Sequence, residues 1–202
     1  MKIFSDHLSQ GGVIPAVYAW GRIGPNGETV RSSNRTPDLH WTEIPDGTRS
    51  FVLACLDDDV PTDRNERDAR GEIPAFQTRC RFVHWVQADI PLSVTEIPED
   101  ALTEEKKLTA GFGRVGINDY SRGQTVLPGD TGSGYDGPCP PSFDARWHYY
   151  RYMVIAVDLE SLSLPESFRW EDVERAVQGH VLATAELVCR YSLNPRMVNP
   201  EC

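Results

Sequence analysis

The chain has none of the features that assign a protein quickly to a class. No segment approaches the ~18 to 20 consecutive apolar residues that cross a bilayer, and Met1 to His7 lacks the long apolar stretch of a signal peptide. Basic residues are in deficit: 20 Lys and Arg stand against 30 Asp and Glu, a formal net charge of −10. That balance disfavours sequence-independent nucleic-acid binding, which needs a clustered basic surface, and docking on anionic membranes. The cysteines, Cys55, Cys80, Cys139, Cys189 and Cys202, are odd in number and scattered, with no Cys-x-x-Cys pair, so they read as reduced thiols. Gly-x-Ser-x-Gly, His-x-x-x-His, the phosphate-loop pattern and the dinucleotide fingerprint are all absent. These absences predict a cytoplasmic chain with no cofactor and give a nucleophilic hydrolase no support.

What is present suits one domain over residues 1–202. A chain of this size buries roughly 70% of its unfolded surface. The composition is 40% hydrophobic, with five Trp, seven Tyr and seven Phe as large core anchors. Three runs rich in β-branched and aromatic residues predict buried strands: Ser50 to Leu56, Arg81 to Ile90 before Pro91, and Tyr149 to Asp158. Alternation of Ala185, Leu187, Cys189 and Tyr191 against Glu186 and Arg190 predicts a closing strand beyond Thr184, which would bury Cys189 as the first run would bury Cys55. Helices are expected from about Glu99 to Lys107, stopped by Gly111, and from Trp170 to about Gln178. Thr62 to Cys80, crowded with Asp, Glu and Arg, reads as a solvated excursion. Strands outnumber helices and no strand–helix–strand alternation occurs, so the predicted class is mainly β, a sandwich or barrel with a few peripheral helices.

Three places carry chemistry. Asp57, Asp58 and Asp59 follow the first apolar run, and in an extended chain Asp57 and Asp59 point to one side, where like charges need a compensating cation, donor or metal. The same residues read equally as a solvated acidic turn before Pro61. His84 interrupts an apolar strand between Val83 and Trp85; it is a hydrogen-bonded core histidine or a site residue. His148 opens the third strand after the Gly/Pro-rich segment Gly129 to Pro141, whose glycines let backbone N–H groups approach an anion closely; turn chemistry alone is the other reading.

Taken in order, these segments resemble the phosphatidylethanolamine-binding protein (PEBP) family, in particular its bacterial Raf-kinase-inhibitor-like branch. The resemblance rests on Asn34 to Trp41, Asp57-Asp58-Asp59-Val60-Pro61, His84-Trp85, Gly116-Ile117-Asn118-Asp119-Tyr120, Gly134 to Pro141 and His148-Tyr149-Tyr150. It implies a PEBP-like β-sandwich of Greek-key type with a small pocket for an anionic or phosphoryl head group. Residue by residue, it implies ligand binding by Asp57, Asp59, His84, Cys139, Pro141, His148 and Tyr150, with no metal and no defining reaction. It also implies a phosphoethanolamine-like or carboxylate ligand, a regulated protein partner, and for bacterial members a homodimer. Two alternatives stand beside this reading: a kinase- or protease-inhibiting interaction protein that binds through the excursion, and a metal-assisted hydrolase built on Asp57, Asp59, His84 and His148. Two departures bear on the pocket. Asp58 stands where the family has Pro and adds a carboxylate, and Tyr149 replaces an Arg, for which Arg146 or Arg151 would have to substitute. A zwitterionic ligand would reconcile aspartates with a phosphate: its phosphoryl group would take bonds from N–H groups near Cys139, from protonated His148 and from Tyr150, and its ammonium would meet Asp57.

Overall fold

Strict alternation inside the first apolar run sets the architecture. Phe51, Leu53 and Cys55 point into one core cluster, and Val52, Ala54 and Leu56 into a second on the opposite face, so this strand is buried on both sides. The computed structural model describes residues 1–101, 111–122 and 132–198. Its described strands are β1 (Lys2–Phe4), β2 (Gly21–Ile23), β3 (Thr29–Arg31), β4 (Leu39–Thr42), β5 (Ser50–Pro61), β6 (Arg79–Pro91), β7 (Glu96–Ile97), β8 (Arg114–Val115), β9 (His148–Val157) and β10 (Val181–Tyr191). A five-stranded antiparallel sheet runs β10–β9–β5–β6–β8, a three-stranded sheet β1–β4–β7, and β2 pairs with β3.

The three-stranded sheet contributes Leu39, Trp41 and Ile97 to the first cluster, which makes the sandwich. The helix Trp170–Ala176, with Leu162 and Phe168, covers the other face of the five-stranded sheet. The mainly β class with peripheral helices is therefore what the chain adopts, and Cys55 and Cys189 are buried in the core.

Several boundaries differ from those expected. β5 does not stop at Leu56 but continues through the aspartates to Pro61, its register with β6 slipping between Asp57 and Val60. The carboxylates make that irregularity tolerable by acting as acceptors: Asp57 Oδ1 takes the Asp59 N–H at 2.8 Å and Asp59 Oδ2 the Tyr149 N–H at 2.9 Å. The acidic run is thus part of the strand, not a solvated turn. The helix ends at Ala176, and β10 begins at Val181, ahead of the alternating segment, with Val181 and Leu182 exposed. The helix expected from Glu99 falls mostly at 102–110, outside the described residues, as does Cys202.

Nor is the excursion at 62–80 solvated throughout. Ile73 and Glu72 are buried, and Glu72 accepts from Asn194 at 2.8 Å and pairs with Arg196 at 3.3 Å. Arg79 belongs to β6, and its guanidinium reaches the carbonyls of Asp59, Pro74 and Gln77. A charged sequence looks solvated until its charges find long-range partners.

Candidate functional site

With β5 central, the antiparallel registers set Asp57 opposite Phe82 on β6 and opposite Tyr150 on β9. His84 lies two residues from Phe82 and His148 two from Tyr150, so period two brings all five toward one place. The segment 134–141 closes over them, held by amides from elsewhere in the chain. Asn118 Nδ2 donates to Asp136 Oδ2 at 2.7 Å and to the Gly134 carbonyl, while Asn34 Oδ1 accepts the Gly137 N–H at 2.7 Å. Gly137 must be glycine: a Cβ there would meet the Tyr18 carbonyl oxygen at 2.0 Å.

These elements enclose a cavity of about 310 Å³. Of the residues expected to bind, Asp57, His84, Cys139, Pro141, His148 and Tyr150 line it. Asp59 does not. It is buried against β9, where it takes the Tyr149 N–H and pairs with Arg146 at 2.6 Å. Phe82, Tyr120, Phe143, Ser142 and Arg64 complete much of the wall. No local motif marked Arg64, which lies in the charged excursion.

The electrostatics rest on a buried relay. His148 Nδ1 meets Asp57 Oδ2 at 2.7 Å, His148 Nε2 meets Asp144 Oδ2 at 3.2 Å, and Arg79 grips Asp144 with two nitrogens at 2.5 and 3.0 Å. Burial would lower the His148 pKa, but attraction to Asp57 and the bonds to Asp144 and Asp57 push it up to about 9. Burial likewise opposes charge on Asp144, yet the bonds from His148 and Arg79 hold its carboxyl below the ordinary range. The relay thus sets His148 and Arg79 against the carboxyl groups of Asp57 and Asp144. Both ring nitrogens of His148 are engaged inside it.

His84 is the opposite case. Burial pushes its pKa below the ordinary value, more than Asp57 can offset, so the ring is neutral. Its Nδ1 lies 2.7 Å from the Asp136 carbonyl oxygen, which only accepts, and this assigns the proton to Nδ1. The bare Nε2 then faces Asp57 Oδ2 at 3.9 Å. Two acceptors confront each other with no hydrogen between them. The Tyr150 hydroxyl, its pKa raised by burial, has no hydrogen-bond partner among the described residues. The backbone N–H groups of Cys139 and Ser142 likewise donate to no described group. Burial pushes the Cys139 thiol up to about 11, which makes it an apolar wall and not a nucleophile.

Both departures from the family pattern resolve away from the cavity. Asp58 projects to the other side of the strand from Asp57 and pairs with Arg81 at 2.7 Å and Arg151 at 2.6 Å, so it adds no charge to the pocket. Tyr149 is exposed, and Arg146 and Arg151 are paired to Asp59 and Asp58. Neither lines the cavity; Arg64 does. The donor atoms of Asp57, Asp59, His84 and His148 also fail to converge: no three of them lie within 4.8 Å of one another. No described helix is long and apolar enough to cross a membrane.

Comparison with known proteins bears on the family and the fold. The family model described as phosphatidylethanolamine-binding protein matches residues 4–192. A UPF0098 protein of Aquifex aeolicus is 32% identical over 191 residues, covering 95% of this chain and 88% of its own. The UPF0098 protein YbhB of Escherichia coli is 28% identical over 193 residues, covering 95% of this chain and all of its own. The crystal structure of Escherichia coli YbcL, described as a new member of the mammalian PEBP family, superposes with a TM-score of 0.68 at 22% identity, covering 95% of this chain and 97% of that one.

Proposed function

Because this chain belongs to the phosphatidylethanolamine-binding protein family, we propose that its cavity binds, without transforming, a small head group that joins a phosphoryl or carboxylate anion to a donor such as an ammonium. The observation that carries this reading is the facing pair of acceptors, Asp57 Oδ2 and His84 Nε2, 3.9 Å apart in a buried wall. Asp57 Oδ2 already takes the His148 Nδ1–H, while His84 Nε2 has no donor, and an ammonium placed between the two would satisfy Nε2 and add a charge-assisted bond to the carboxylate. The anion has its own partners in the Arg64 guanidinium, the Tyr150 hydroxyl and the N–H groups of Cys139 and Ser142. The Arg64 guanidinium is the cationic side chain we assign to the anion. Phosphoethanolamine fits this division of roles.

A catalytic reading has less support, since the histidine next to the acceptor pair is locked between two carboxylates and the thiol is fully protonated at neutral pH. Modulation of a partner protein is favoured by one observation, Phe76 at 90% exposure in the segment whose Ala75 carbonyl meets Arg146.

Calorimetric titration with phosphoethanolamine and with inorganic phosphate tests the head-group reading. Asp57→Asn is expected to weaken phosphoethanolamine more than phosphate, and Arg64→Gln to weaken both. Equal losses for the two ligands in Asp57→Asn refute the ammonium placement, and absence of saturable binding of either ligand refutes the site.

A further inference from the structure

The three-stranded sheet holds a second group of chemically capable side chains, none of which lines the cavity. His40 sits on the central strand, with Phe4 of β1 as its register partner on one side and Glu96 of β7 on the other. Phe4 stacks on the imidazole at 5.3 Å between ring centres and 17° between planes, which fixes the ring. Asp38, just before β4, is buried, and its orientation is set by the Ser5 hydroxyl at 2.9 Å and the Asp6 N–H at 2.7 Å. Those two bonds also turn the chain after β1 so that the exposed Asp6 carboxylate comes back over His40. One carboxylate oxygen from each aspartate and a ring nitrogen of His40 lie within 4.8 Å of one another.

The far side of the ring gives this cluster a direction. His40 Nδ1 faces Glu96 Oε2 at 3.5 Å, while Nε2 faces Asp38 Oδ2 at 3.1 Å and Asp6 Oδ2 at 4.0 Å. A carboxylate behind the distal nitrogen is the arrangement that accompanies metal-bound histidines, where it holds the Nδ1 proton once Nε2 becomes a ligand. Without an ion, Nε2 lies within hydrogen-bond distance of Asp38 Oδ2 at 3.1 Å, and a bound cation would displace that proton and sit among the ring nitrogen and the two carboxylates.

We propose that Asp6, Asp38 and His40 form a binding site for a divalent transition cation, with Glu96 orienting His40 from behind. One imidazole and two carboxylates suit zinc better than magnesium, which prefers oxygen ligands alone and keeps its waters. The exposure of Asp6 leaves room for water at the remaining position. Such an ion would tie the segment after β1 to the sheet; the proposal does not depend on what the cavity binds.

The test is calorimetric titration of the whole, metal-stripped chain with zinc chloride and, separately, magnesium chloride. One zinc per chain and no response to magnesium are expected. Asp6→Asn and His40→Gln should each lower zinc affinity by at least ~10-fold, and Glu96→Gln by roughly 10-fold, the usual effect of losing an outer-sphere partner. The exposed Asp6 carboxylate makes no hydrogen bond among the described residues, so Asp6→Asn should melt as the parent does without zinc. That variant keeps the test sound if His40→Gln folds poorly. Absence of saturable zinc binding overturns the proposal. So does zinc binding that survives both Asp6→Asn and His40→Gln, or magnesium binding as tightly as zinc.

Discussion

The clearest physical consequence of the buried relay is a loss of stability on mild alkalinisation. His148 has a pKa of about 9 in the folded chain, and an unfolded histidine titrates near ~6.5. A group whose folded pKa is raised contributes stability fully below the unfolded value and loses it as pH rises through the folded value, because over that interval only the folded state holds the proton. Between pH 7.0 and 8.5 the unfolded chain has already released its proton and the folded chain has kept most of its own. Linkage over that interval gives a loss of about 2 kcal/mol for this one group, or roughly 5 °C in melting temperature for a chain of this size. His7 also has a raised pKa but is fully exposed, and the raised pKa values of the buried thiols Cys55, Cys139 and Cys189 take effect only above ~8.5, where an unfolded cysteine ionises. Urea unfolding at the two pH values, on the parent chain and on His148→Gln, isolates the contribution. The parent should weaken by about 2 kcal/mol more than the variant across the interval. Parallel pH dependences in the two proteins refute the charged relay. If the variant does not fold, proton NMR titration of His148 in the parent decides the same point, and a measured pKa below 7 refutes it.

Two further substitutions probe the cavity's construction. Gly137→Ala should cost about 3 kcal/mol or more in denaturant unfolding, because its Cβ has only 2.0 Å to the Tyr18 carbonyl oxygen; an unchanged midpoint would mean that the loop relaxes freely there. Tyr150→Phe should leave stability within about 0.5 kcal/mol, since the hydroxyl has no partner to lose, while phosphate affinity falls roughly 10-fold for a lost bond to an anion. Calorimetry and urea titration on the same sample separate the two effects.

The fold was legible where one residue predicts its neighbour. Alternation through Phe51 to Leu56 and from Ala185 to Tyr191 is a local signal, and both strands formed with the expected faces inward. The strand ends were not legible, because what extends β5 through three aspartates is a set of acceptor bonds, one of them to Tyr149, 90 residues away. The quiet length of 62–80 misled for the same reason. Glu72 and Arg79 are buried by partners 122 and 65 residues distant, and pairs of that separation leave no periodicity to read.

The site shows the same division, and shows why a motif is not yet an electrostatic description. His84 and Asp57 could be picked out singly, but which of the two histidines is charged depends on what each nitrogen meets. His148 has a carboxylate at both ends and keeps a proton at neutral pH; His84 has a carbonyl at one end and becomes a bare acceptor at the other. Asp144, four residues before His148 and outside every segment the sequence singled out, makes that difference. Without Asp144 and Arg79 behind it, His148 would have an N–H free for a ligand, and the cavity would favour a bare phosphate over one carrying an ammonium. With them, both His148 nitrogens are engaged, and the proposed partner of the anion is the Arg64 guanidinium, which lines the cavity from the excursion. On the head-group reading proposed above, ligand preference therefore rests as much on Arg79, Asp144 and Arg64, outside the recognisable motifs, as on the aspartate and histidines within them.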